Sequence, residues 1–362
     1  MEQPLPPYGA CLLGSINLTQ FVEYPFQNNV RFNYEKLKQV VRIFNRMLDN
    51  VVEISGLPLE EQLESIKRTR RHGLGILGLG SMLAMMKIKY DSKEALELAE
   101  TIMKLITTNS YEVGVELAKE KGAAPICYEK FNGVLGKELI SKSKFIRNTL
   151  PKGLIEDIEK FGVRYSNCIS IAPTGTISFS LANNASNGIE PSFMHSYQRN
   201  VIIPGKNTKI QEDIYSYELL VYKELIDLNI DVNNLPDYFQ TANSISPKAH
   251  IDMLCTIQKW VDSAISKTVN VPTEIPFDDF KDLYMYAYDH LAKGCTTYRY
   301  NPDNQVGVLV TKEELGKTKY RIILEDNTEI IISGDKKIGY DGDIHNSSNL
   351  CDSIMEGLYG RY

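Results

Sequence analysis

Apolar residues recur at helical spacing in two long stretches. Leu37, Val40, Val41, Phe44, Leu48, Val51 and Val52 fall on the face of a helix that Asn33 can cap and that Gly56 and Pro58 stop. A second pattern runs from Ser92 to Gly122, with Ala95, Leu98, Ile102, Leu105, Ile106, Val113 and Leu117 as apolar members. Residues up to about Asn29 read as a proline-rich loop. The period changes in the middle of the chain. Cys168–Ala172 and Lys267–Val271 read as buried strands. Phe277–Lys293 reads as a helix with an acidic first turn, stopped by Gly294, and Thr296–Tyr300 as a further strand. Strand, helix and strand in that order predict a βαβ unit, hence an α/β class with a parallel sheet.

After Asn301-Pro302 the texture changes. Tyr320–Leu324 and Glu329–Ser333, with Asp326-Asn327 between them, predict a hairpin, and a short helix from Ser347 to about Gly357 follows. The expected organisation is an α/β body over residues 1–302 and a small β-rich appendage over residues 303–362. The net charge of −6 and pI near 5.6 argue against a protein that coats nucleic acid. No apolar run is long enough to span a bilayer, and Met1–Pro7 has neither the basic nor the apolar region of a signal peptide. The expectation is a cytoplasmic protein with no membrane contact.

Chemistry enters through four features. The six cysteines, Cys11, Cys127, Cys168, Cys255, Cys295 and Cys351, are scattered without C-x-x-C spacing, so no metal site is expected and most should be buried small hydrophobes. Gly73-Leu-Gly75-Ile-Leu-Gly78 matches G-x-G-x-x-G. A dinucleotide site would need a strand immediately before it, and Ser65–His72 is too polar for one, so the glycines are assigned to close backbone packing before a helix over Ser81–Met86. Ala172-Pro173-Thr174-Gly175-Thr176-Ile177-Ser178 follows a strand; if a helix begins there, its free amides and adjacent hydroxyls can cradle an anion, the alternative being an ordinary cap. Glu2 and Cys11 put a carboxylate and a thiol in one loop, which by itself also fits a solvated acid and a buried thiol. Among the histidines, His72, His250, His290 and His345 are isolated and read as surface or satisfied core residues, while His195 follows Glu190-Pro191-Ser192-Phe193 near the anion loop.

Taken together, several strings resemble one family. Glu2-Gln-Pro-Leu-Pro-Pro-Tyr-Gly-Ala-Cys11 with Leu12–Leu18 resembles the segment after the radical cysteine of ribonucleotide reductases. Ala172–Ser178 is similar to the substrate-phosphate loop of the adenosylcobalamin-dependent (class II) members, and Ala185-Ser-Asn-Gly-Ile-Glu-Pro191 to the stretch after it. Ser263-Ala-Ile-Ser-Lys-Thr-Val-Asn-Val-Pro272 and Lys293-Gly-Cys-Thr-Thr-Tyr-Arg299 look like class II strings in the same order.

The resemblance implies a ten-stranded α/β barrel built from two halves, of which this chain supplies the second half and the trailing part of the active-site loop. The family motif reads N-P-C-G-E-Q-P; here Glu2-Gln3-Pro4 matches it, Met1 stands at the glycine, and the radical cysteine is not in this sequence. The implied activity is reduction of ribonucleotides to 2′-deoxyribonucleotides, the precursors for DNA synthesis. A thiyl radical takes the 3′-hydrogen, a carboxylate accepts the 3′-hydroxyl proton, and two thiols become a disulfide as water leaves. By motif, Glu2 resembles the general base, Cys11 one reducing thiol, and Pro173, Thr174, Gly175, Thr176 and Ile177 the phosphate-binding run. The implied cofactor is adenosylcobalamin. The implied partners are the N-terminal half of the reductase on a separate chain, a ribonucleotide, and a thioredoxin-like or small thiol reductant. Thr296-Thr297-Tyr298-Arg299-Tyr300 lacks the adjacent tyrosine pair of the di-iron-dependent relatives, which favours cobalamin. Leu12 stands where relatives have Asn, and Cys351 where many have a cysteine pair. The rivals are a non-catalytic nucleotide-binding remnant, the large chain of a di-iron-dependent reductase and, from the glycine run alone, an NAD enzyme.

Overall fold

A computed structural model of the chain describes residues 2, 4–202, 209–299, 309–310, 316, 319–323, 328–340 and 343–355. It divides into two units, Met1–Phe193 with Ser216–Tyr300, and Met194–Tyr215 with Asn301–Tyr362.

Parallel strands frame the first unit. Strand β1 (Leu12–Asn17) pairs in parallel with β2 (His72–Leu77), from Leu12 opposite His72 to Asn17 opposite Leu77. On the other side of β2 runs the extended segment 168–171, bridged in parallel through Leu74 and Ile169. The Leu74 amide donates to the Cys168 carbonyl at 2.8 Å and the Ser170 amide to the Leu74 carbonyl at 3.1 Å. The same segment bridges in parallel to 263–266, with Ile171 opposite Ile265. That stretch runs into β3 (Thr268–Val271), which pairs in parallel with β4 (Thr296–Arg299). The spatial order β1, β2, 168–171, 263–271, β4 is also the chain order. Parallel neighbours need long crossovers, and helices fill them. All six residues of β2 are buried, as a strand covered on both faces should be.

Four sequence expectations change here. The stretch up to Asn29 is not all loop, because it contains β1. The glycine run is itself strand β2, and no strand precedes it, since the helix Glu60–Thr69 ends at Arg70 in a left-handed conformation with φ 50°. The dinucleotide reading thus loses its required geometry. The next helix is Leu79–Met85, entered through Gly78 at φ 76°. Glycine is needed inside β2 because its neighbours press close. A Cβ at position 75 would sit 2.5 Å from the Ser170 carbonyl oxygen. The expected strand over Cys168–Ala172 makes only short bridges. The Asp262 carboxylate takes the amides of Cys168 at 2.7 Å and Ile169 at 3.1 Å, and Pro173 offers none.

Helix α1 (Tyr34–Ile54) starts where Asn33 Oδ1 accepts the Lys36 amide at 2.9 Å, and it buries Leu37, Val41, Leu48 and Val52. Helix α2 (Lys93–Lys121) is capped by Ser92 Oγ, which accepts the Ala95 amide at 3.1 Å, and ends at Gly122 with φ 89°. Between them lies a buried ion cluster. Asp49, fully buried, accepts Arg70 Nη2 at 2.6 Å and Arg164 Nε at 3.1 Å. Helix α3 (Gly175–Leu181) follows the 168–171 segment, and α4 (Pro247–Gln258) precedes β3. Helix α5 (Phe277–Asp289) joins β3 to β4; it stops short of Lys293, where Leu291 takes φ 64°.

In the second unit Ser196–Ile202 pairs antiparallel with Lys209–Tyr215 and, on its other side, Leu309–Val310. Lys319–Ile323 pairs antiparallel with Glu329–Ser333, as expected; the turn at Asp326-Asn327 lies outside the described residues. Lys337–Tyr340 pairs with Asp343–Asn346, and the closing helix is Ser347–Met355; the expected end near Gly357 lies outside the described residues.

Candidate active site

The site grows from Ser170, in the middle of the parallel ladder. Ser170 Oγ donates to the Glu2 carbonyl oxygen at 2.6 Å, and the Ala264 amide donates to the same oxygen at 3.0 Å. Two central strands therefore hold the main chain of Glu2. Arg71 Nη1 donates to the Pro4 carbonyl at 2.8 Å and fixes the next part of the loop.

Cys11 lies just before β1 and is half-buried. Its Sγ is 3.2 Å from where a Cβ on Gly73 would stand, and Ser170 Cβ is 2.7 Å from that point. The thiol and Ser170 thus border the same space left by one missing side chain. Glu2 and Cys11, nine positions apart in a loop, converge on Ser170.

The third element starts from the same segment. Two residues beyond Ser170 the chain turns at Ala172-Pro173, and Thr174 takes φ 61° before α3 begins. That left-handed conformation is costly for a β-branched residue. It is held by hydrogen bonds: the Gly188 amide donates to Thr174 Oγ1 at 2.8 Å, and Thr174 Oγ1 lies 3.0 Å from Ser178 Oγ. Thr174 is buried, so its hydroxyl braces the turn. Pro173, Gly175 and Thr176 are exposed and Ile177 half-buried. The amides of Gly175, Thr176 and Ile177 have no acceptor within their helix, as first-turn amides must.

Sequence reasoning passed over Ser170 and the buried group behind the loop. Lys267, 2% exposed, donates to Glu190 and to His250 Nδ1, the latter at 2.7 Å. Burial pushes the Lys267 ammonium below the usual lysine range, opposed by Glu190. Burial, then the Lys267 charge, pushes His250 down to about 3, so it is neutral. The only signals were the Gly188-Ile-Glu190 and Ser266-Lys267-Thr268 strings, whose residue types alone do not announce a pair. His72 and His250 are core residues, whereas His195 belongs to the second unit. Cys127, Cys168 and Cys255 are buried, and burial raises all three thiols, Cys255 to about 11. Among the described residues no group of three or more His, Cys, Asp or Glu side chains could hold a metal ion. Among them too, no helix is long and apolar enough to cross a membrane.

Comparison with known proteins gives the context. The family model for the ribonucleotide reductase barrel domain matches residues 1–298. The chain is 33% identical over 313 residues to the vitamin B12-dependent ribonucleoside-diphosphate reductase of Thermoplasma acidophilum, covering 82% of this chain and 36% of that protein. It is 32% identical over 314 residues to the protein of the same name in Mycobacterium tuberculosis, covering 83% and 40%. It is 28% identical over 329 residues to the ribonucleoside-diphosphate reductase subunit alpha of Chlamydia pneumoniae, covering 80% and 29%. The chain thus spans two-fifths or less of the length of these relatives.

Proposed function

The chain belongs to the ribonucleotide reductase barrel-domain family, and from that premise we propose that it provides the second half of a class II catalytic barrel that reduces ribonucleotides to 2′-deoxyribonucleotides. The observation that carries the reading is the convergence of Glu2, Cys11 and the 170–177 segment on Ser170.

In this reading the amides of Gly175, Thr176 and Ile177 hold the nucleotide's phosphates, and the exposed Pro173 leaves the approach open. Backbone donors suit the task, because they are fixed before the anion arrives. Glu2 accepts the 3′-hydroxyl proton while a thiyl radical from the other half-barrel takes the 3′-hydrogen. Cys11 and a second thiol from that half then supply two electrons; the 2′-hydroxyl leaves as water, the abstracted hydrogen returns to C3′, and the thiols end as a disulfide. A thioredoxin-like protein or small thiol restores them.

The relatives named vitamin B12-dependent favour cobalamin over a di-iron radical source. Adenosylcobalamin, when bound, supplies the radical. Support for the partner comes from the ladder's ends. Among the described residues β1 and β4 each pair on one side only, and α5 exposes Phe277, Met285 and Tyr288. Open edges and apolar surface of this kind call for a covering layer.

The test is reconstitution. The chain, mixed with a polypeptide carrying the first half-barrel and its radical cysteine, should convert ADP or CDP to the deoxynucleotide when adenosylcobalamin and dithiothreitol are present. Cys11→Ser and Glu2→Gln should each reduce turnover by roughly 100-fold or more. No product from the wild-type pair, or product undiminished in both variants, refutes the reading.

A further inference from the structure

Lys267 is a deeply buried cation to which the chemistry above gives no task. Its ammonium donates to a Glu190 carboxylate oxygen, to the Thr268 carbonyl and to His250 Nδ1. His250 Nε2 donates to the Ala242 carbonyl at 2.9 Å, which leaves Nδ1 as the acceptor that Lys267 requires. The other Glu190 oxygen accepts the Thr268 amide at 2.6 Å. Every ammonium donor and both carboxylate oxygens are engaged. Burying such a pair is costly, and apolar residues of similar size would serve stability as well.

The attachment of Glu190 suggests what the pair does. The Glu190 amide donates to the Asn187 carbonyl at 2.7 Å and closes the turn Asn187–Glu190. Within that turn the Gly188 amide donates to Thr174 Oγ1, and a Cβ on Gly188 (φ 47°) would stand 2.8 Å from the Ala172 carbonyl oxygen. The turn therefore presses on both sides of Pro173 and holds Thr174 in its unfavourable backbone conformation. Tyr90 Oη, donating to the Ile189 carbonyl at 2.5 Å, secures the middle of the turn, and Glu190 on Lys267 and Thr268 secures its end.

We infer that Lys267, Glu190 and His250 are positioning residues: they fix the Asn187–Glu190 turn and, through Thr174, aim the amides of Gly175, Thr176 and Ile177 at the phosphates of a nucleotide. The inference rests on the phosphate-binding reading of that run. None of the three need touch the ligand; they set its affinity through the turn.

The experiment titrates the full chain with ADP and with inorganic pyrophosphate by calorimetry, with urea midpoints measured on the same samples. The variants are Glu190→Leu, Lys267→Met and the double substitution. Each single change leaves a charge without its partner, so stability and affinity fall together. The double change removes both charges. Its urea midpoint should return toward wild type while ADP binding stays weaker by about tenfold or more, because the end of the turn has lost its anchor on Lys267 and Thr268. A double variant as stable as wild type that binds ADP with unchanged affinity overturns the inference. Should the double variant fail to fold, Gly188→Ala displaces the same turn without touching a charge; a similar loss of ADP affinity supports the inference, and unchanged affinity overturns it. A wild-type chain that binds neither probe refutes the phosphate reading itself, and the inference with it, before any variant is compared.

Discussion

Asp49→Asn is the sharpest test of how the first unit is held together. Asp49 is fully buried and faces two guanidinium groups, Arg70 and Arg164, whose side chains are 5% and 9% exposed. Asparagine keeps the shape and one acceptor but removes the charge. Two buried cations then share only Glu53, which sits 2.9 Å from each and is 49% exposed. Breaking a buried pair costs about 3–5 kcal/mol, and the remaining Glu53 puts the expected loss near the lower end, about 3 kcal/mol. With a urea slope of about 3 kcal/mol per M for a unit of this size, the midpoint should fall by about 1 M. Trp260, the single tryptophan, is half-buried in the same unit and donates to Glu100 at 3.3 Å, so its fluorescence reads the transition. Glu116→Gln is the control. Its partner Arg42 is equally close at 2.6 Å, but the two side chains are 39% and 53% exposed, so the change should cost under about 0.5 kcal/mol. A midpoint shift for Asp49→Asn no larger than that of the control would refute the reasoning.

Three further outcomes are expected. Burial lowers His72 to about 3, so it is neutral in the folded chain and titrates near its ordinary value when unfolded. Its contribution to stability is present above about pH 6.5 and declines by up to about 1.4 kcal/mol per pH unit as the pH falls toward 3; the urea midpoint of His72→Gln should show a correspondingly shallower acid dependence than wild type. Gly75→Ala drives a methyl into the Ser170 carbonyl, in a segment hydrogen-bonded on both sides, and should cost about 1–3 kcal/mol in urea, whereas Gly56→Ala, with nothing within 4 Å, should change stability by less than about 1 kcal/mol. Asn33→Ala removes the acceptor for the Lys36 amide and should cost about 1 kcal/mol, read as a lower urea midpoint with an unchanged slope.

The elements with local causes were legible in the sequence. Asn33, Ser92 and Gly122 mark helix ends by their own side-chain or backbone chemistry, and α1 and α2 appear where those signals place them. The β3–α5–β4 crossover also followed from its period and its order. Strands β1 and β2 were not legible, because Leu12-Leu-Gly-Ser-Ile-Asn17 and His72-Gly-Leu-Gly-Ile-Leu77 carry glycines that weaken any strand pattern. Those glycines make sense only beside the segments that crowd them, Leu13 and Ser170 among them. The site divides the same way. Glu2, Cys11 and the 173–177 run stand out as motif residues. Ser170, which joins them, is an ordinary serine in a strand until its bond to the Glu2 carbonyl is seen. Asp262 was equally silent, since a carboxylate that caps two strand amides has no sequence signature.

The ladder of the first unit adds its members outward, each new strand joining the outside of the one made before it. A ribosome can therefore lay the sheet down vectorially, and no later strand has to be forced between two earlier ones. In sheets where the chain doubles back, early neighbours must wait apart or separate again. Here each emerging strand meets a finished template, so wrong partners can reach only two rims at any moment during synthesis, that of β1 and that of the newest strand.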